Sequence, residues 1–169
     1  MKIIFCFIFC VSFLFATAQK NIPTTDHFSI EGKVKNPSEF SVKNTADYKS
    51  ISIDSITIYN HLVERRGVIK NVKGILLKEV LEKAVFDSES PKTLSEFYIE
   101  CIATDDYKVV FSWNELFNTE IGNKVIIITE KDGQKGSQIR DGMALISASD
   151  KATGRRFVKG LRKIVVKRL

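Results

Sequence analysis

Basic side chains near the C-terminus are the residues best suited to chemistry. The last twenty residues hold one acid, Asp150, and eight basic residues: Lys151, Arg155, Arg156, Lys159, Arg162, Lys163, Lys167 and Arg168. A guanidinium holds a phosphate through paired hydrogen bonds, and a lysine adds a point charge. The cluster therefore predicts anion binding. The competing interpretation is a solvated basic edge on a final strand, where lysines discourage the addition of another strand.

Thiol and imidazole side chains are too few and too scattered to predict a metal site. Cys6 and Cys10 fall in an N-terminal apolar run, and Cys101 falls in a strand-like pattern, where it reads as a small hydrophobic residue. His61 lacks the partner ligands that a tight metal site needs. The neighbouring pair Arg65-Arg66 faces either the same pocket or water. No Ser-His-Asp order, glycine-rich phosphate loop or paired carboxylate motif is present.

The N-terminus has the pattern of a secretory signal peptide. Lys2 precedes the apolar run Ile3–Phe15, and Ala16-Thr17-Ala18 supplies small residues for cleavage. The run is short for a membrane anchor, which is the alternative. We predict a signal peptide at residues 1–18, a short leader at 19–26 and a single domain at 27–169, with a periplasmic or secreted location and no membrane span after cleavage. Roughly 150 residues suit one domain with a sizeable core.

Hydrophobic periodicity places the chain in the α+β class. Ser50–Tyr59 alternates as a strand does, whereas residues 60–73 are polar and charged and predict a long functional loop. A helix that begins at Gly74 would bury Leu77, Val80, Leu81 and Ala84. Further strands are predicted at His27–Val34, Lys124–Thr129, Met143–Ser147 and Val158–Val166.

The stretch "IATDDYKVVFSWNEL" predicts a hairpin followed by a short helix. Glu96–Ala103 and Tyr107–Phe111 are the strands, and Asp105-Asp106 forms the turn. Ser112-x-x-Glu115 is a capping box that starts a helix at residues 113–118. Together the elements predict an α+β fold with mixed or antiparallel sheets and a few short helices.

Four stretches in this order resemble the molybdopterin-binding domain of the sulfite oxidase family, including its small exported bacterial members. Ile30–Pro37, "IEGKVKNP", is similar to the opening "G-x-V-x-N-P" strand, and Gly74–Leu81 to the "G-V-P-L-x-D-L-L" element. Ala103–Tyr107 resembles the "S-x-D-G-Y" hairpin. Gly154–Leu161, "GRRFVKGL", resembles the closing "G-x-R-x-V-K-W-L" segment. The resemblance implies the sulfite oxidase-type fold, with the Asp-Asp-Tyr turn in a structural role.

The departures from this family fall on the cofactor side. The resemblance implies a molybdenum ion held by a pterin dithiolene and by one cysteine just after the strand Ser50–Tyr59, since soft sulfur suits such an ion. The residues there are Asn60-His61-Leu62, without a cysteine. The resemblance also implies that the closing basic residues approach the pterin and its phosphate. The predicted cofactor-binding residues are therefore Lys159, Arg155, Arg156, Asn60 and His61, with no catalytic and no metal-ligating residue.

Three functions remain open from the sequence. The first is a non-catalytic exported domain that binds an anionic, pterin- or phosphate-bearing ligand or an envelope partner in the former cofactor cleft. The alternative is a molybdenum-pterin-dependent oxidoreductase with an atypical metal site, for which molybdopterin is the cofactor. The third is a structural interaction module of the cell envelope. Nucleic acid is not expected, because the basic cluster lacks the interleaved aromatic residues of a stacking platform.

Overall fold

The computed structural model describes residues 23–169. The predicted signal peptide at residues 1–18 and the first part of the leader, residues 19–22, lie outside the described residues. Among residues 23–169, no helix has the length and apolar character needed to cross a membrane.

The described residues alternate short strands with a few helical turns. The strands are β1 (His27–Gly32), β2 (Ser38–Ser41), β3 (Ser50–Tyr59), β4 (Arg65–Leu76), β5 (Phe97–Ala103), β6 (Lys108–Ser112), β7 (Val125–Lys131), β8 (Gln134–Lys135), β9 (Ala144–Ser147), β10 (Phe157–Lys159) and β11 (Leu161–Arg168). The α-helices are α1 (Leu77–Ala84) and α2 (Trp113–Phe117). The 3₁₀ turns are Val42–Asp47, Pro91–Glu96, Glu120–Lys124, Gly136–Gln138 and Thr153–Arg156. We call the last of these the closing turn.

The strands form two sheets. The first has the order β2-β1-β11-β5-β6, and the second has the order β10-β9-β7-β4-β3, with β8 paired to β7. Strands β1 and β11 run parallel, while the other paired strands run antiparallel. The α+β class with mixed sheets and few short helices is therefore confirmed.

Strand β7 joins two hydrophobic clusters. Val125 and Ile127 point into the larger cluster, which also takes side chains from the first sheet and from α1. Ile126 and Ile128 point the other way, into a smaller cluster with residues of β4 and β9. All four are fully buried, and each buried isoleucine or valine contributes about 1.5–3 kcal/mol. This two-sided burial explains why β7 reads as a continuous apolar run.

Helix α1 buries the face that its spacing predicts, but it begins three residues later than expected. Leu77, Val80, Leu81 and Ala84 are buried. Gly74 belongs to β4, where its backbone packs against β7: an added Cβ would lie 2.4 Å from the Ile127 carbonyl oxygen. The glycine therefore serves a close strand contact rather than the start of a helix.

The prediction of a long loop at residues 60–73 is wrong. Residues 65–76 form β4, which pairs with β3 from Ser50 onward, so only the turn at residues 60–64 remains. Exposed charges on the outer part of β4 conceal its alternation. Asn71 interrupts it further, because its φ of 50° places it in the left-handed region.

The prediction of a single strand at Val158–Val166 is also wrong, because this segment forms two strands that belong to two different sheets. Strand β10 pairs with β9 in the second sheet, and β11 pairs with β1 and β5 in the first. Gly160 makes the crossing with a φ of 62°. Its amide donates to the Asp141 carbonyl (2.8 Å), and its carbonyl accepts from the Thr104 amide (2.8 Å).

A substitution at Gly160 tests this crossing. Gly160→Ala should lower the free energy of unfolding by about 1–2 kcal/mol, because an L-residue is strained in a left-handed conformation. Gly67→Ala is the matched control, since nothing lies within 4 Å of an added Cβ there and its φ is not positive. Urea unfolding of both variants measures the difference, and equal stabilities would contradict the assignment of Gly160 as the crossing residue.

Candidate functional site

A cleft lies where the end of β3 meets the closing turn. Its volume is about 580 Å³. It brings together three segments that are far apart in the chain: the turn after β3, the β5–β6 hairpin and the closing turn. The lining residues are Ile58, Tyr59, Asn60, His61, Arg66, Tyr107, Gly154 and Arg155. We call it the arginine cleft.

Thr153 fastens the closing turn to the outer edge of β3. Its hydroxyl donates to the Thr57 carbonyl (2.7 Å) and accepts from the Tyr59 amide (2.9 Å), so it satisfies backbone groups that β4 does not reach. Gly154 then passes close to the strand, where an added Cβ would lie 2.7 Å from the Tyr59 carbonyl oxygen. The turn is thus held against β3 at its first two residues.

Arg156 fastens the other end of the closing turn. Its guanidinium donates twice to Asp150 (2.7 Å each) and once to Glu115 (2.9 Å), and it lies 4.4 Å from the centroid of the Phe111 ring. Glu115 also accepts from the Ser112 amide (2.8 Å), which confirms the predicted capping box. Because these bonds occupy Arg156, it does not line the arginine cleft.

Arg155 stands between these two anchors with its side chain free. Its carbonyl accepts a hydrogen bond from the Tyr107 hydroxyl, and its amide donates to the Ala152 carbonyl (2.8 Å). Its guanidinium makes no hydrogen bond or ion pair with any residue from 23 to 169. The backbone is therefore fixed while the positive charge faces the cleft and solvent.

The Asp-Asp-Tyr hairpin positions Tyr107 beside this cleft. Asp105 and Asp106 form the turn between β5 and β6, as predicted, and Asp106 has a φ of 65°. Arg162 secures the turn by donating to the Ala103 carbonyl (2.9 Å) and by pairing with the Asp106 carboxylate. The turn therefore has the structural role that the sequence predicted, and it also places an aromatic ring at the cleft.

Asn60 lines the cleft, but its side chain organises the turn. Its carbonyl oxygen accepts from the Leu62 and Glu64 amides (2.9 Å each), and its amide donates to the Glu64 carboxylate (2.8 Å). His61 follows on the exposed surface of the same turn, and its ring has no hydrogen-bond partner within the described part of the chain. Of these two predicted residues, His61 is the one with free donor and acceptor atoms.

Arg66 is a cleft residue that the sequence left undecided. Its nearest acid is Glu64, at 3.7 Å, and the two side chains are 65% and 58% exposed, so this pair contributes little. The alternation of β4 is the signal that could have found it, because Arg65 and Arg66 must point to opposite faces of a strand.

Lys159 does not line the arginine cleft. Its ammonium pairs with Asp141 (3.2 Å) and lies 5.2 Å from the centroid of the Phe157 ring. Asp141 also pairs with the buried Lys131. Burial opposes ionisation of Asp141, but hydrogen bonds from the two lysines outweigh it, so its pKa lies below the ordinary value. The predicted role of Lys159 in cofactor binding remains a prediction.

The donors at the cleft do not fit a molybdenum ion held by a protein cysteine. Cys101 is fully buried in β5, where burial and the neighbouring Glu100 raise the pKa of its thiol to about 12. It therefore supplies no thiolate to the cleft. Within residues 23–169, no group of three His, Cys, Asp or Glu residues is placed to hold a metal ion. The arginines, by contrast, suit a phosphate.

Comparison with known proteins supports the fold. No protein-family model matches the chain, and no curated protein matches it. Among solved structures, it is similar to the sulfane dehydrogenase SoxCD from Paracoccus pantotrophus, with a TM-score of 0.62 and 12% sequence identity. The similarity covers 86% of this chain and 40% of that chain. The likeness bears on the fold alone, and it bears out the predicted sulfite oxidase-type arrangement of mixed sheets with a few short helices.

The contrast between the two neighbouring arginines predicts that their substitutions differ in their effect on stability. Arg156→Met should lower the free energy of unfolding by about 2 kcal/mol at pH 7, because it removes charged hydrogen bonds from two partly buried carboxylates. Arg155→Met should change it by less than about 0.5 kcal/mol, as an exposed surface substitution does. Urea unfolding measures both values.

The destabilisation by Arg156→Met should also depend on pH. Burial opposes ionisation of Glu115 and Asp150, but hydrogen bonds from Ser112, Ser147 and Arg156 outweigh it, so both pKa values lie below their ordinary range. Their stabilising effect is therefore complete above about pH 5 and is lost as the pH falls through the lowered values. The difference between Arg156→Met and the unaltered protein should shrink at pH 3, and a difference that stays constant would contradict the network.

Proposed function

We propose that this chain is an exported, non-catalytic domain that binds an anionic, phosphate-bearing ligand in the arginine cleft. The observation that carries the proposal is the composition of the lining: Arg66 and Arg155 both face the cleft, and none of its lining residues is acidic. Arg155 has no carboxylate partner among residues 23–169, and Arg66 has only the exposed Glu64 at 3.7 Å, so the two guanidinium groups form a positive site that an anion would neutralise.

Preorganisation strengthens the case for Arg155. The backbone of the closing turn is fixed by Thr153 on one side and by Arg156 on the other, so on this wall of the cleft binding need order only the side chain of Arg155. Less conformational entropy is then lost when the ligand binds. The planar guanidinium that extends from this fixed backbone suits the bidentate recognition of a phosphate.

The rest of the lining suits a flat ring attached to that phosphate. Tyr59 and Tyr107 contribute aromatic rings and Ile58 an aliphatic surface, while His61 offers hydrogen-bonding atoms. A volume of about 580 Å³ falls within the range of small-molecule sites. These features support a pterin- or nucleotide-like phosphomonoester as the ligand class, and the signal peptide predicted at residues 1–18 supports a periplasmic or secreted location.

A molybdenum-pterin-dependent oxidoreductase is the second candidate. The similarity of fold to a sulfane dehydrogenase favours it, although that similarity extends over only 40% of the enzyme chain. An atypical site would have to hold the ion through the pterin without a protein thiolate, because Cys101 is buried away from the cleft. The lining supports the binding of the phosphate end more directly than it supports redox chemistry.

Calorimetric titration with a phosphomonoester tests the proposed function. Guanosine monophosphate should bind the protein more tightly than guanosine, and inorganic phosphate should compete with it. Arg155→Gln should weaken nucleotide binding about tenfold to a hundredfold, since a charged hydrogen bond contributes about 1.5–3 kcal/mol. Saturation at 100-fold the dissociation constant should add about 2.7 kcal/mol to the free energy of unfolding.

Arg140→Gln is the matched control for this titration. Arg140 is exposed and does not line the cleft, so its loss removes one charge without removing a contact. If Arg140→Gln and Arg155→Gln weaken binding equally, the attraction is only a general effect of net charge and the site assignment fails. If neither phosphate nor nucleotide binds, the structural module of the envelope becomes the better interpretation.

A further inference from the structure

A second groove lies between the end of α1, the 3₁₀ turn Pro91–Glu96 and α2. It has a volume of about 480 Å³ and shares no lining residue with the arginine cleft. Its floor is aromatic and its rim is acidic. We call it the aromatic groove.

Three rings form the floor of this groove. Trp113 and Phe117 stack with centroids 5.2 Å apart, and Phe86 meets Phe117 edge-on at 5.6 Å. Phe86 also packs edge-on against the buried Phe97, so the floor is continuous with the hydrophobic core. All three floor rings are only partly buried. The floor is therefore rigid, and it presents aromatic surface outward.

Val85 forms part of the wall in a strained conformation. Its φ of 56° and ψ of 111° are rare for a β-branched residue, and its side chain remains 42% exposed. Amides that follow β1 hold it there: Lys35 donates to the Val85 carbonyl (2.8 Å), and Asn36 donates to the Ala84 carbonyl (3.0 Å). The fold thus keeps an apolar side chain on the groove at the position where a helix more commonly ends in glycine.

The charge of the groove is opposite to that of the chain. Its lining includes Glu82 and Glu89 but no lysine or arginine, although the whole chain has a formal net charge of +6. Glu89 pairs with Arg168 at 3.1 Å while remaining 78% exposed. Glu82 is exposed, and among residues 23–169 it has no ion-pair or hydrogen-bond partner. A local negative rim above aromatic rings attracts cations both by charge and by the ring quadrupole.

We propose that the aromatic groove is a second binding site, for a small organic cation. The apolar or aromatic body of the ligand stacks on Trp113 and Phe117, and its ammonium group faces Glu82. The volume of the groove suits a molecule of this size. This site is independent of the arginine cleft and has the opposite charge preference, so it adds a second ligand class to a domain whose other cleft takes anions.

Fluorescence of Trp113 reports directly on this site, because it is the only tryptophan of the chain. The full protein is titrated with 2-phenylethylammonium, with neutral 2-phenylethanol and with anionic 3-phenylpropanoate. We expect a saturable change with the cation, weaker binding of the alcohol and the weakest binding of the carboxylate. Inorganic phosphate should leave the signal unchanged, which separates this site from the arginine cleft.

Two glutamates on α1 supply the decisive comparison. Glu82→Gln should weaken binding of the cation at least fivefold and leave binding of 2-phenylethanol unchanged. Glu79→Gln, on the same helix but outside the groove, should leave both unchanged. Melting temperatures of the two variants confirm that both are folded.

Three results would overturn the proposal. These are no saturable change with the cation, equal affinities for cation and carboxylate, or equal effects of the two glutamate substitutions. Arg155→Gln should bind the cation normally, so that a failure of the proposed anion site leaves this test intact.

Discussion

The closing turn is the constraint on which the site depends. Its first residue, Thr153, stands in for a neighbouring strand by bonding to two backbone groups at the edge of β3. Its last residue, Arg156, is held by Asp150 and Glu115 and stacks on Phe111. The turn thereby ties the second sheet to helix α2 and to the first sheet. Without both anchors, the arginine cleft would have only one fixed wall.

This arrangement separates the roles of two adjacent residues of the same type. The guanidinium of Arg156 donates to two carboxylates of the protein, whereas that of Arg155 faces the cleft and has no partner among residues 23–169. The same logic distinguishes Asn60, whose side chain builds a turn, from His61, whose ring remains free. The basic cluster is therefore partly a structural network, and the fold leaves other members, such as Arg155, on the surface that we propose binds an anion.

Local signals in the sequence were sufficient to predict those elements whose structure depends only on residues close together in the chain. The Ser112 capping box, the alternation of β3 and the buried face of α1 follow from nearest-neighbour chemistry, and all three occur as predicted. Strand β4 was missed because exposed charges and the left-handed Asn71 concealed its alternation. The division of the last strand at Gly160 depends on which sheet each half joins, and such long-range pairing leaves no local trace in the residues.

The arginine cleft and the aromatic groove have linings of opposite charge. An arginine-lined cleft opens beside the closing turn, and an acid-rimmed aromatic groove opens beside α2; the two share no lining residue, so the two proposed ligands would not compete. The scaffold is similar to that of a sulfane dehydrogenase, yet the cleft contains no thiolate for a metal. Molybdenum content of the protein purified from its natural source, measured by inductively coupled plasma mass spectrometry, tests this most directly. We expect far less than one molybdenum atom per chain, and a value of one atom per chain would contradict an anion-binding domain without metal.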